Sequence, residues 1–324
     1  MFDTWRAGFL HSDRSVVSGA DRAARCWVLP ASILAWILCG CSPHAAPERE
    51  EDSLTSGRIS IVCAPEAVRL IRGEVAAFEK LYPQARIELR TGTSRQAVGA
   101  LFAAECDLAV ITRELETEER AAAVRGKLEL DGYRFARDAV VAVVNPSNTV
   151  ENLSLDELRR IYQGNRTQWS ELGGRAGAID PVVQPMESDI TQFVIQQVMG
   201  GETIRARVLT EPSDSSVVAR TRSVPGAVGY VSMAWANHGA RPLALASVTG
   251  LPYRAPDAEA VYKGEYPLTR FFNLYVRSSG PKLANGFITY VTSREGQALV
   301  IDAGLVPTTV PVRFVRRSPM LGAH

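Results

Sequence analysis

The sequence predicts an α/β fold with a mainly parallel sheet, and its first hundred or so residues carry that prediction. Residues 58–63 alternate as a strand does, and apolar residues then recur at helical spacing across residues 68–81. Residues 85–90 form a second predicted strand, and the apolar, branched run 107–111 forms a third, typical of a strand buried on both faces. Strands that alternate with helices in this way indicate right-handed βαβ units.

The rest of the chain continues the same alternation. Ser154-Leu155-Asp156-Glu157 is a capping box that opens a helix through Tyr162. A loop is expected at residues 169–177. Further strands are predicted at residues 139–144, 179–183, 227–232 and 268–277, and further helices at 95–104, 189–199, 282–292 and 294–303.

Polar side chains follow the third strand directly. Thr112 and Arg113 leave its carboxyl end, where open α/β sheets place their ligands. Right-handed crossovers bring the loops 63–66, 91–96 and 112–114 to the same edge of the sheet. We therefore expect this edge to face a cleft.

Residues 1–40 read as a leader. Arg22 and Arg25 precede a 12-residue apolar run, which is too short to span a bilayer and has the length of a signal-peptide core. The tetrad that ends at Cys41 resembles the lipobox of bacterial lipoproteins, so Cys41 is the predicted acylation site. The alternative is an apolar leader with a chance cysteine. Residues 41–57 are then a solvated tether, and residues 316–324 a frayed tail.

The charge balance argues against a protein that binds nucleic acid or anionic lipid, and the cysteine positions argue against a disulfide. Loss of residues 1–40 reduces 36 basic and 35 acidic residues to 32 of each. The mature chain is therefore neutral and lacks the excess positive charge with which proteins bind nucleic acid or anionic lipid. Cys63 and Cys106 are the two cysteines inside the predicted folded domain. On parallel neighbouring strands they lie at opposite ends, roughly 15 Å apart at about 3.3 Å per residue. A disulfide is therefore not expected, because its Cα atoms must lie within ~7 Å.

Catalysis has little support in the sequence. His238, the one histidine in the predicted domain, sits in an Asn-His-Gly turn with no triad partner. The cysteines and histidines lack metal-ligand spacing, and no glycine-rich phosphate motif is present. We predict a protein that is not an enzyme and has no cofactor.

Short motifs in a specific order resemble one family. They include Phe-Glu-Lys-Leu-Tyr-Pro at residues 78–83, Asn-Pro-Ser-Asn at 145–148 and Tyr-Pro-Leu-Thr-Arg at 266–270. The other matching segments are 107–115, 153–164, 169–174, 225–230, 296–297 and 304–307. From Arg58 to about Val312 the chain resembles the phosphate-binding lipoproteins of phosphate ABC importers, which have the type II periplasmic binding-protein fold.

The resemblance implies an architecture and a set of partners. The architecture is two α/β lobes joined by two crossover strands, with the first lobe at residues 58–143 plus 264–315 and the second at 144–263. The lobes would close on a solute by hinge motion near Val144 and Tyr266. The solute would be phosphate or a related oxyanion, the protein partner an ABC importer permease, and the location the periplasm. The protein would act as a monomer anchored to the membrane by its lipid.

The resemblance also implies ligand-binding residues. The family binds oxyanions with hydroxyls and backbone N–H groups at helix starts, where the helix dipole is positive. The matching positions here are Ser94, Thr112, Arg113 and Ser188, with Thr191 added from the same helix start. Arg95 stands where the family has glycine, and it joins the predicted set as a nearby cation.

Two acidic residues depart from the family pattern. Glu66 and Asp189 would bring carboxylates to an oxyanion site, and Pro65 removes a donor. A carboxylate ~5 Å from a bound anion costs on the order of 3 kcal/mol at an effective dielectric of about 20. The departures leave open a binding-protein fold with a different ligand, or with a sensor or structural role.

Local alternatives also remain open at four of these positions. Glu66 can be a first-turn residue that complements its helix dipole, and Asp189 and Ser94 can be N-caps. Arg113 can be an ion-pair partner of Glu114 or Glu116.

Overall fold

The computed structural model describes residues 52–309, so the predicted leader, Cys41 and the tail lie outside the described part. Its helices are α1 (Val68–Leu81), α2 (Ser94–Phe102), α3 (Thr117–Arg125), α4 (Leu155–Tyr162), α5 (Asp189–Gln197), α6 (Asp214–Ser223), α7 (Met233–Ala236), α8 (Ala258–Lys263), α9 (Lys282–Val291) and α10 (Arg294–Asp302). Its strands are β1 (Gly57–Cys63), β2 (Ala85–Thr91), β3 (Leu108–Ile111), β4 (Leu130–Val144), β5 (Asn152–Ser154), β6 (Asp180–Val183), β7 (Leu209–Thr210), β8 (Ala227–Ser232), β9 (Arg241–Pro242), β10 (Ala244–Ala246), β11 (Thr269–Arg277) and β12 (Val306–Pro307).

One curled sheet runs through the molecule in the order β2-β1-β3-β11-β4-β8-β6-β7. The pairs β1–β2 and β1–β3 are parallel, as are β6–β7 and β6–β8. The central strands β11 and β4 run antiparallel to their neighbours, so the sheet is mixed at its centre. The α/β fold class predicted from the sequence is confirmed.

Three hydrophobic clusters lie along this sheet, two in a first lobe and one in a second. The first lobe packs around β1, β3, α1 and α9, and the second around β6, β8, α5 and α6. Strand β4 contributes Ala136 to the first lobe and Ala139 to the second, and the chain around β11 likewise passes from Leu268 in the second lobe to Phe272 in the first. These two segments therefore connect the lobes.

The predicted element boundaries differ from the structure where a helix or strand is largely exposed and therefore shows little apolar periodicity. Strand β4 begins at Leu130, nine residues before the predicted start, because residues 131–134 are exposed and carry no apolar run. Helices α3 and α6 were not predicted, since each presents few apolar residues at helical spacing. A short 3₁₀ helix, Trp169–Leu172, opens the predicted loop.

Cys63 and Cys106 are free and buried, as the strand-order argument predicts. Cys63 pairs with Val110 near the end of β3, while Cys106 precedes that strand. The parallel register therefore separates the two sulfurs along the strand direction. Among residues 52–309, no helix has the length and apolar content needed to cross a bilayer.

Candidate functional site

Helix α2 presents its N-terminus to the cleft through Ser94. Thr93 caps the helix in a reciprocal pair with Gln96, so the alternative in which Ser94 is the N-cap is wrong. Ser94 is fully buried, and its Oγ accepts the Thr112 N–H at 3.2 Å. Because Thr93 takes the capping role, the Ser94 N–H and hydroxyl hydrogen remain available to a group from outside the helix.

That group is Asp189, from the second lobe. The Ser94 N–H and the Ser94 hydroxyl both donate to Asp189 Oδ2, each at 2.8 Å. Asp189 is the first residue of α5, and the cap of that helix is Ser188, so the interpretation of Asp189 as an N-cap is also wrong. One carboxylate oxygen thus accepts two convergent donors at a helix start, as an oxygen of a bound oxyanion would.

Glu66 makes the reciprocal contact from the first lobe. It lies in the turn before α1, and its Oε1 accepts the Ile190 N–H of α5 at 3.0 Å. It therefore complements the dipole of the opposite lobe's helix. The alternative of a first-turn position in α1 is wrong, because Glu66 precedes Ala67, the N-cap of that helix. Although the residue is partly exposed, its Oε2 is buried and has no hydrogen-bond partner among the described residues.

The environment of the Glu66 carboxyl favours its neutral form. Burial raises the pKa of Glu66 to about 7, with Arg270 opposing that shift and Asp189 and Asp214 adding to it. Near neutral pH the group is therefore only partly ionised.

A buried ionic cluster lies behind these contacts. Arg270 Nε donates to Asp138 Oδ2 at 2.9 Å, and both side chains are almost completely buried. Asp138 Oδ1 accepts the Ser232 hydroxyl, and Asp214 Oδ1 accepts the Gln184 amide. Burial and the nearby Asp138 raise the pKa of Asp214 to about 6.

Arg270 retains unused hydrogen-bonding capacity in this cluster. Its Nη1 is buried without a hydrogen-bond partner within the described part of the chain. It also influences the pKa of Glu66, which places its positive charge near the Glu66 contact. Arg270 is thus a buried cation whose charge is paired with Asp138.

Arg113 lies beside the cleft but is neutralised by acidic partners. Its two Nη atoms each donate to a different oxygen of Glu119 at 2.7 Å, and Glu116 lies 3.4 Å away. Burial alone would lower the pKa of Arg113, but Glu119 and Glu116 raise it. The ion-pair alternative is therefore correct for Glu116, and the strongest partner, Glu119, was not foreseen.

The remaining predicted ligands are placed differently. Ser188 donates to the Pro185 carbonyl at 2.7 Å and accepts the Thr191 N–H as the α5 cap. Thr191 is buried, 2.7 Å from the Tyr230 hydroxyl. The Arg95 side chain is 81% exposed and 3.7 Å from Glu116. As ligand contacts, these three residues remain predictions.

A groove of about 1120 Å³ opens beside the contact between the lobes. First-lobe residues Thr112 and Arg113 line one side, and second-lobe residues Asp189 and Phe193 line the other. Thr112 Oγ1 is buried and has no hydrogen-bond partner among residues 52–309. The structure therefore brings Ser94, Thr112 and Arg113 together at one cleft.

Sequence reasoning missed the ionic cluster, although one signal was present. Arg270 interrupts an apolar strand, and a charge in such a run needs a buried partner. Its partner Asp138 is 132 residues away, so no spacing rule could have paired them.

The site has the chemistry of anion binding. The Ser94 hydroxyl and the N–H groups at two helix starts donate to the carboxylate oxygens of Asp189 and Glu66. Within residues 52–309, no cluster of three or more histidine, cysteine or acidic side chains could hold a metal ion.

Comparisons with known proteins agree with this fold. The family model described as "PBP superfamily domain" matches residues 48–295, and the chain belongs to that family. It is 28% identical to the phosphate-binding protein PstS of Bacillus subtilis over 78% of this chain and 82% of that protein. It is 23% identical to the PstS of Pseudomonas aeruginosa, over 83% and 88%.

Solved structures show the same fold. An ABC-type phosphate transport receptor from Vibrio cholerae superposes with a TM-score of 0.66 at 21% identity, covering 77% of this chain and all of the other. PstS from Borrelia burgdorferi superposes with a TM-score of 0.59 at 18% identity, covering 78% and 99%. The fold is therefore the type II periplasmic binding-protein fold.

Proposed function

We propose that this protein is an extracytoplasmic solute-binding protein that captures phosphate or a related oxyanion for an ABC importer. The observation that carries the proposal is the pair of helix starts, α2 and α5, whose donors already hold carboxylate oxygens across the cleft. Donors that bind a carboxylate oxygen in this way also suit the oxygens of a tetrahedral oxyanion. Relatives that are named phosphate-binding proteins support phosphate as the first solute to test.

Phosphate would bind between the lobes. The Ser94 N–H and hydroxyl and the Thr112 hydroxyl are the proposed first-lobe donors, and the Ile190 N–H is the proposed donor from the second lobe. Arg270 supplies positive charge from behind. Asp189 and Glu66 must move or be protonated, which predicts weaker binding than the same donors would give without them.

Calorimetry on protein that has been unfolded, stripped of solute and refolded tests this function. We expect phosphate to bind, and Ser94→Ala to weaken that binding at least tenfold because one charge-assisted hydrogen bond is lost. Ser170→Ala is the matched control, since Ser170 is an exposed serine of the second lobe. Equal phosphate affinities for wild type and Ser94→Ala would contradict the assignment of Ser94.

The proposed anchor is a lipid on Cys41, with residues 1–40 removed. It rests on the apolar run and the lipobox-like tetrad in the sequence. Intact-mass analysis of protein extracted from membranes should show a mature chain that begins at an acylated Cys41. An unmodified Cys41, or a retained leader, would exclude this form of attachment.

A further inference from the structure

The two contacts across the cleft are reciprocal. Asp189 of the second lobe accepts two hydrogen bonds at the start of α2, and Glu66 of the first lobe accepts one at the start of α5. The starts of α2 and α5 are thus each complemented by an acid from the opposite lobe. An acid from the same lobe as the helix would also complement the helix dipole, but it would make no contact between the lobes.

The lobes have separate hydrophobic cores beside these contacts. Ala97 of α2 packs in a first-lobe cluster and Ile190 of α5 in the second-lobe core. Motion of one lobe relative to the other would therefore separate Ser94 from Asp189 and Glu66 from Ile190 together. Breaking them exposes buried donors, including the fully buried Ser94.

We propose that Asp189 and Glu66 are internal anions that hold the cleft closed in the absence of solute, and that they compete with a solute for the donors of Ser94 and Ile190. We call the two contacts, Asp189 with Ser94 and Glu66 with Ile190, the latch. The competition with solute rests on the proposed function. The closed state without solute does not, because it depends only on contacts within the chain.

The latch changes the motion expected from the family resemblance. A cleft that opens without solute and closes on it would give different scattering in the two conditions. A latched cleft is already closed without solute. When phosphate binds, its oxygens replace the carboxylate oxygens of Asp189 and Glu66, and the cleft is closed in both states. We expect the radius of gyration of the wild-type chain to be the same with and without phosphate.

Amide hydrogen exchange on the full chain in phosphate-free buffer provides the direct test. In wild type, the amides of Ser94 and Ile190 should both be protected. In Glu66→Ala, a purely local contact would expose Ile190 alone, since the Asp189 acceptor of Ser94 is unchanged. A latch predicts that Ser94 also loses protection, at least tenfold, because the opened cleft separates both pairs.

Scattering on the same samples checks that the change is an opening of the cleft. The Glu66→Ala, Asp189→Ala double variant should have a larger radius of gyration than wild type without phosphate. Glu187→Ala is the matched control, because it removes an exposed acid from the same groove that, among residues 52–309, has no hydrogen bond or ion pair across the cleft. It should match wild type in both measurements.

Several outcomes would overturn the proposal. Fast exchange of the Ser94 and Ile190 amides in the wild type would overturn it. This outcome needs no variant, so the proposal can be tested even if a variant does not fold. Unchanged Ser94 exchange in Glu66→Ala would reduce the contacts to local ones. None of these measurements contains phosphate except the wild-type scattering comparison, so failure of phosphate binding in calorimetry leaves the latch test intact.

Discussion

Raising the pH from 5 to 9 is expected to lower the free energy of unfolding of the wild-type chain by about 5 kcal/mol more than that of Glu74→Gln. Glu74 lies on α1, is completely buried, and has no hydrogen-bond partner for either carboxyl oxygen among the described residues. Burial raises its pKa from 4.5 to about 9.

The sign of the effect follows from the direction of the shift. A carboxyl with a raised pKa in the folded protein binds its proton more tightly there than in the unfolded chain. Its favourable contribution is complete below pH 4.5 and is lost as the pH rises toward 9. Glutamine has no proton to lose, so Glu74→Gln removes this part of the pH dependence.

Denaturant titrations at pH 5, 7 and 9 measure the difference. Glu88→Gln is the control, because Glu88 is a glutamate of the same lobe whose side chain is 69% exposed. Glu74→Met should also be more stable than wild type at pH 7, by about 1–3 kcal/mol, because it removes a buried polar group with no partner. Parallel pH profiles for wild type and Glu74→Gln would contradict the assignment.

The second large effect is expected at the latch. Glu66→Thr with Asp189→Gly should tighten phosphate binding at least 100-fold at pH 8. Each carboxylate within ~5 Å of a bound anion opposes it by on the order of 3 kcal/mol at an effective dielectric of about 20, and every 1.4 kcal/mol is a factor of about ten. The substitutions also release the donors of Ser94 and Ile190 for the solute.

The wild type should show its own pH dependence. Burial is the main reason that the pKa of Glu66 is raised to about 7; Arg270 and the Glu66 backbone N–H lower it, and Asp189 and Asp214 raise it further. As the pH falls from 8 to 6, protonation of Glu66 removes a negative charge from the cleft, so phosphate should bind more tightly. Phosphate titrates in this range as well, so the informative quantity is the difference between the wild-type and double-variant profiles.

Calorimetry on both proteins, with Glu187→Ala as control, measures these affinities. Glu187 lies in the same groove and, among the described residues, is not hydrogen-bonded to Ser94 or Ile190, so its removal should change affinity much less than removal of Glu66 and Asp189. Undetectable phosphate binding by a folded double variant would exclude phosphate as the solute. It would favour a different ligand, or the sensor or structural role.

Much of the fold was determined by local sequence patterns. The alternation of β1, the helical spacing of α1 and the apolar run of β3 each depend on nearest neighbours, so they could be identified without contacts. The assumption that β1 and β3 are parallel neighbours is confirmed, and it correctly separated Cys63 from Cys106. Of the site, this reasoning placed Thr112 and Arg113 at the carboxyl end of β3.

The partners of the two acidic residues in the cleft were determined by the tertiary structure. Glu66 and Asp189 were visible as departures from a family pattern, but their partners are 124 and 95 residues away and belong to the opposite lobe. Local rules assigned each acid to its own helix, because a sequence shows only the nearer dipole. Which helix start an acid complements depends on how the lobes meet, and only the packed chain, with Arg270 and Asp138 buried behind the cleft, determines that geometry.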